Sequence, residues 1–288
     1  MEKQERKYSI TVEYDKFASS HQTFRAIAEL MLAIDELNNA IATTFSEEIE
    51  TEAVIEEITP GSINIWLIDK LKSLPDDKIK AYVKNPREAI ADFLIKTKHR
   101  IIKALDEEPK KINQKAPEIL VEEIQKSELK QVGYTIHKTK LLESLSDLSK
   151  SVKNFDYKPV IEIEGEKMLI VDNYSFNPEE IEDIQKKTHT IRDKFIIKKP
   201  DLIGNSKWTI IFDKNIDVKI RDEEFLKRIH NREISIAFGD MLDAELKIET
   251  FLDPVDMSVI ETRYTITKVY GIVPPTNKAK QPKLKGIE

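Results

Sequence analysis

Residues Ala53 to Leu71, AVIEEITPGSINIWLIDKL, constrain the fold more than any other stretch, because two runs with strand-like patterning meet at Thr59-Pro60-Gly61-Ser62. Pro60 fixes φ near the value a turn needs, Gly61 tolerates positive φ, and Ser62 can bond to nearby backbone, so the segment predicts a hairpin. In the second run Ile63, Ile65 and Leu67 point to one face and Asn64, Trp66 and Ile68 to the other. With apolar residues on both faces, this strand is expected inside a sheet with something packed on each side.

Elements of helical and strand period surround the hairpin. Tyr8, Ile10, Val12 and Tyr14 alternate with polar residues as a strand with one buried face does. Ser19-Ser20 offers a cap, and Phe24, Ile27, Met31, Ile34, Leu37 and Ile41 follow at helical spacing. Asn85-Pro86 reads as the cap and first residue of a second long helix, with Ile90, Leu94, Ile101 and Leu105 on its buried side. Lys96, Lys98, His99, Arg100 and Lys103 of that helix predict a solvated basic face. Glu107 to Lys115 reads as a linker, Pro117 restarts a helix, and from Thr139 a further helix carries Leu141, Leu142, Leu145, Leu148 and Val152. These helices are expected to bridge two halves of the molecule, rather than to cover the first sheet or form an oligomer seam.

From Pro159 the pattern changes to short β runs separated by turn residues. Glu164-Gly165 joins a second candidate hairpin, Asn177-Pro178-Glu179-Glu180 opens a short helix, and Asp222 caps another over Glu223 to His230. Further runs lie at 191–197, 207–212, 216–220, 234–238, 242–252 and 259–273. The expected class is α+β: an N-terminal strand-helix-hairpin sheet with helices (1–112), a helical connector (113–157), an antiparallel β-rich sandwich or small barrel (158–273), and a basic, flexible tail (274–288).

Composition excludes more than it proposes. The 288 residues carry a formal charge of -6, which argues against a protein whose main work is coating nucleic acid. The absence of cysteine removes disulfides and thiolate chemistry and fits a cytoplasmic location. Seven glycines, no two close together, leave no G-x-G-x-x-G or G-x-x-x-x-G-K phosphate loop and no G-x-S-x-G elbow. No run approaches the ~20 apolar residues of a membrane helix. No cofactor and no metal site is expected: the five histidines have no partner among themselves at ligand spacing.

Two constellations invite a sharper reading. Asp222, Asp240, Asp243, Glu245 and Lys247 match by residue type the D…E-x-K set of Mg²⁺-dependent nucleases, although in a chain with 52 acids and 46 bases such spacing arises by chance and a solvated strand face explains it. Lys186, Lys187, Arg192, Lys198, Lys199, Trp208 and the tail lysines Lys278 and Lys280 suggest a nucleic-acid surface, with Trp208 or Phe212 as the stacking ring. The plain alternative for Trp208 is core packing.

Val54 to Ile65, together with Asp222 to Leu226, Phe238 to Leu242 and Tyr264 to Val269, resembles segments of uncharacterised two-domain bacterial accessory proteins found in antiphage-defence and mobile-element neighbourhoods. The resemblance implies a partner protein in a multi-gene system and assigns no catalytic residue. The reading drawn from the sequence is a non-enzymatic assembly or accessory subunit that binds a protein partner or itself as a homo-oligomer. Its interface candidates are Trp66, Ile68, Leu141, Leu145 and Leu148, with nucleic-acid binding and an Mg-dependent nuclease as the alternatives.

Overall fold

The computed structural model describes residues 7–13, 20–59, 63–73, 79–204, 206–237 and 239–274. The chain divides into two compact units between Ile181 and Glu182.

In the first unit β1 (Lys7–Val12), β2 (Glu50–Thr59), β3 (Ile63–Ser73), β4 (Val160–Ile163) and β5 (Glu166–Leu169) form one antiparallel sheet in the order β2-β3-β1-β4-β5. The expected hairpin pairs β2 with β3, running from Thr51↔Leu71 to Thr59↔Asn64 with a register shift between Ile55 and Glu57. Its turn residues 60–62 lie outside the described residues, as does Ser19. Strand alternation sends Tyr8, Ile10, Val12, Ile65, Leu67, Ile161 and Ile163 into one core.

Four helices add most of the other residues of that core: α1 (Ser20–Ala42), α2 (Pro86–Glu107), α3 (Ile112–Lys126) and α4 (Lys138–Ser151). The α1 stripe buries Ile27, Ile34, Leu37 and Ile41 but leaves Phe24 exposed. Asn85 and Pro86 start α2 as expected. The supposed linker is a single 3-10 turn, Pro109–Lys111, leading straight into α3, which carries Pro117 within it.

Two expectations are corrected here. The helices over 113–157 are not a connector: Leu141, Leu142, Leu145 and Leu148 belong to the same core as the sheet, because the leucine face of α4 is buried beside α1. The boundary near 158 moves to 181, because β4 completes the first sheet by pairing with β1 from Tyr8↔Ile163 to Thr11↔Val160. The β4–β5 hairpin itself is as read, with Glu164 and Gly165 both at positive φ, the requirement of a tight two-residue turn.

The second unit is a closed barrel. Its strands are β6 (Gln185–Lys199), β7 (Trp208–Phe212), β8 (Lys214–Ile220), β9 (Met241–Leu252) and β10 (Val259–Val273), in the order β10-β8-β7-β6-β9, with β8 and β10 meeting in parallel. A short helix, α5 (Glu223–His230), separates β8 from β9, and the Asp222 carboxylate accepts from the Phe225 N–H at its start. Phe195, Ile197, Trp208, Ile210, Val218, Leu242, Ala244, Leu246 and Ile266 fill the interior, with Phe225 and Ile229 of α5. The stretch 234–237 forms no strand, although Ile234 and Ile236 pack on this core; Phe238 lies outside the described residues. No helix among the described residues is long and apolar enough to cross a membrane.

Candidate functional site

The first-unit interface candidates separate into two groups. Leu141, Leu145 and Leu148 are fully buried, so they hold α4 in the core and present no surface. Trp66 and Ile68 lie on the sheet face opposite the helices, where they stand half-buried across from Ser9 and Lys7. Period-2 alternation gave the face on which these two stand, opposite Ile65 and Leu67, whereas period-3.6 spacing could not distinguish core from seam for the leucines.

Of the basic face expected on α2, His99, Arg100 and Lys103 are paired with acids, while Lys96 is exposed. His99 Nε2 lies 2.8 Å from Glu166 and Lys103 Nζ 2.6 Å from the same carboxylate, holding it below the usual carboxylate range. Arg100 bonds Glu123 at 2.6 Å and Glu122 at 2.7 Å on α3. Lys98 turns inward and is fully buried.

Around Lys98 lies a buried polar cluster that sequence reasoning missed. Its Nζ sits 2.5 Å from Asp69 Oδ2 on β3 and 3.6 Å above the Tyr8 ring. Asp69 Oδ1 accepts from the Tyr8 hydroxyl at 2.9 Å and from Asn38 Nδ2 at 2.7 Å. Burial, then the Asp69 charge, raises the Tyr8 pKa, while burial lowers that of Lys98 against the pull of Asp69. Two clefts of about 280 and 320 Å³ between α2 and α3 are lined by other residues. The cluster ties β1, β3, α1 and α2 together. A lysine at a position whose helical neighbours Leu94, Ile101 and Leu105 are buried was its one sequence signal.

The acids of the nuclease-type set are not gathered. Asp222 caps α5 and its other oxygen accepts from the Val269 N–H at 2.8 Å. Asp240 accepts from the Ala237 N–H. Asp243 takes a two-pronged contact from Arg192 at 3.1 and 3.2 Å, Glu245 accepts from the Tyr270 hydroxyl at 2.5 Å, and Lys247 pairs with Glu249 at 2.7 Å. Among the described residues no three His, Cys, Asp or Glu side chains converge as metal ligands would.

The nucleic-acid set is likewise divided. Trp208 is 1% exposed and its ring N–H donates to the Asp201 carbonyl at 3.1 Å, so it is core and offers no stacking face. Arg192 lies 3.7 Å from the Tyr270 ring centre as well as on Asp243, and Lys186 pairs with Glu249 over the Phe251 ring. Lys187, Lys198 and Lys199 are exposed on β6. Lys278 and Lys280 lie outside the described residues.

What the barrel presents instead is aliphatic. The registers Val273↔Met241, Met241↔Ile196, Ile196↔Ile211 and Ile211↔Asn215 align one row across β10, β9, β6, β7 and β8. Their chain neighbours Ile272, Leu242, Phe195, Ile197 and Ile210 point inward, so this row points out. Ile196 is 41% and Ile211 39% exposed. Doublets in the sequence carried the signal: Ile196-Ile197 and Ile210-Ile211 must each put one isoleucine outside a one-layer barrel.

The loop between β6 and β7 is held by Asp201, whose carboxylate accepts from the N–H groups of Ile203, Gly204 and Ser206 at 3.2, 2.8 and 2.8 Å. It leaves Ile203 94% exposed at its tip. The loop between β9 and β10 is built alike: Asp253 accepts from the Val255 N–H, and Val255 and Met257 are exposed.

Comparison with protein-family models, with curated proteins and with solved structures returns no match. The class is therefore defined by topology. Five strands in this order, with a helix between the third and fourth, are the Greek-key arrangement of an OB-type barrel.

Proposed function

We propose that this protein works by binding other proteins, as a non-enzymatic assembly or accessory subunit. The aliphatic row across the outside of the barrel carries the reading. Ile196 and Ile211 stand side by side on β6 and β7 with their side chains outward, and neighbouring exposed isoleucines cost solubility unless something covers them. Engagement of Asp222, Asp240, Asp243, Glu245 and Lys247 in structural contacts supports binding over bond-making chemistry. The likeness of the Val54–Ile65 and C-terminal segments to accessory proteins of defence gene neighbourhoods supports a companion encoded in the same system, or a second copy of this chain.

Size exclusion with light scattering over a concentration series tests the second copy, and isolation of the tagged full chain from its own cells tests a companion. A concentration-dependent multimer or a stoichiometric companion is expected. A monomer without one rejects the reading.

A second reading rests on the barrel topology: single-stranded nucleic acid laid over the β7–β8 face. Oligonucleotide affinity measured across a salt series decides it. Log affinity should fall against log salt with a slope of about -0.7 for each phosphate neutralised, and absence of binding at low salt removes this reading.

A further inference from the structure

We infer that the open backbone edge of β6 docks a second copy of this chain, the two β6 strands pairing antiparallel about Thr190, an inference that rests on the self-association arm of the reading above. β6 pairs with β9 from Gln185 to Ile196 but with β7 only at Ile196, Ile197 and Lys199. One edge of residues 185–195 therefore carries no strand. Residues 185–190 and 192–194 are exposed, so that edge stands open to solvent. The other open stretch, β10 before its two pairs with β8, is half-buried from Ile260 to Thr265 and is less accessible to a strand.

Hydrogen-bonding parity sets which backbone groups wait at the β6 edge. The Ile197 N–H donates to the Asp240 carbonyl at 2.9 Å, on the β9 side, and alternate residues of an antiparallel strand turn their backbone groups to the same neighbour. Odd-numbered residues thus face β9, while Thr188, Thr190 and Arg192 turn N–H and C=O outward. Lys194 ends the series, because the Asp193 carboxylate takes its N–H at 2.7 Å. The first unit plugs its outer strands instead: on β2 the N–H groups of Thr51 and Ala53 donate to Asn39 and Asp35 of α1, and on β5 that of Leu169 donates to Asp106 of α2. Among the described residues no side chain does this for Thr188, Thr190 or Arg192.

Those three residues are symmetric about Thr190, and that symmetry selects a second copy. Antiparallel pairing of Thr190 with Thr190 sets Thr188 against Arg192 on both sides of the two-fold axis, which satisfies all the outward groups of both chains. The same register sets Lys187 against Asp193 twice, and neither forms an ion pair within its own chain among the described residues. The one like-charged match, Lys186 against Lys194, falls at each end. There Lys186 is held by Glu249 at 2.7 Å, Lys194 lies across from Asp243 in register, and Asp213 of the β7–β8 turn, level with Lys194, has no cationic partner among the described residues.

The chain contains no cysteine, so a single introduced thiol reports the register. Hydrogen-bonded partners in an antiparallel pair have Cα atoms about 5.5 Å apart, inside the disulfide range, so T190C should give a covalent dimer under a mild oxidant while K199C gives none. In light scattering of the full chain over a concentration series, the dimer dissociation constant should rise about tenfold or more in T190P, whose missing N–H bonds nothing within the chain. It should also rise in K187D and in D193K, and recover in K187D/D193K, with thermal melting unchanged in all three. A dimer that persists in T190P and K187D, with no T190C cross-link, rejects this edge while the protein-binding reading stands. A monomeric chain that carries a stoichiometric companion, whether or not T190P releases it, overturns the second copy and leaves that reading in place. A monomer without a companion rejects both.

Discussion

Lys98 Nζ lies 2.5 Å from Asp69 Oδ2, and the lysine side chain has no exposed surface. Burying two charges is costly unless each compensates the other and the remaining polar atoms are bonded, which here falls to Tyr8 and Asn38. Removing one partner leaves the other stranded. Lys98→Ala is expected to lose ~3–5 kcal/mol of unfolding free energy in denaturant titration, and K98M/D69N to lose less than the single change. A double variant that loses the sum of the two single changes would mean that the two charges are not coupled.

The leucine stripe of α4 gives a second expectation. Leu145 is fully buried on a helix that packs against α1 and α3, so Leu145→Ala should cost ~2–5 kcal/mol through lost transfer energy and the cavity left behind. Molar mass by light scattering should not change. A drop in mass without a matching loss of stability would return this helix to an oligomer seam.

Acid should loosen the loop between β6 and β7. The Ser206 hydroxyl, and then the N–H groups of Gly204, Ser206 and Ile203, hold the Asp201 carboxyl well below the usual range. A group whose folded pKa is depressed contributes its stabilisation fully above the unfolded value, here 3.8, and loses it as pH falls below that. The amide signals of Ile203, Gly204 and Ser206 should therefore hold through pH 3.8 and shift together only well below it, and in Asp201→Ala they should show that loosened state at neutral pH. Gly204→Ala should mimic the effect, because an added Cβ would lie 2.8 Å from Asp201 Oδ2, which those same bonds fix in place.

The two tryptophans report on opposite environments. In Trp66→Phe the remaining emission comes from Trp208, 1% exposed, and should be blue-shifted and shielded from acrylamide. In Trp208→Phe the half-buried Trp66 should be quenched more readily. Quenching of Trp208 on addition of single-stranded oligonucleotide would contradict its assignment as a core residue.

Much of the fold was legible because its signals are local. Alternation found β1, the β2–β3 hairpin and the two faces of β3; Asn85-Pro86 and Asp222 marked helix starts; Glu164-Gly165 marked a turn that requires positive φ. Strand pairing is not local. Nothing in Val160 to Ile163 states that it joins β1, some 150 residues earlier, instead of the β-rich segment that follows it. The same limit hid the barrel's surface: Ile196 and Ile211 read simply as apolar strand residues until the β6–β7 register set them side by side.

By itself the sequence determined most of the stretches that become strands and helices, where several turns fall, and that no glycine-rich phosphate-loop motif and no cysteine is present, since each depends on residues close along the chain. Only the tertiary structure decided that Lys98 is buried on Asp69, that the acids of β9 are bound to Arg192 and Tyr270, and that four separated aliphatic residues form one strip. Those outcomes depend on which distant backbone segments meet and in what register, and in the strands a shift of one residue would turn each side chain to the opposite face.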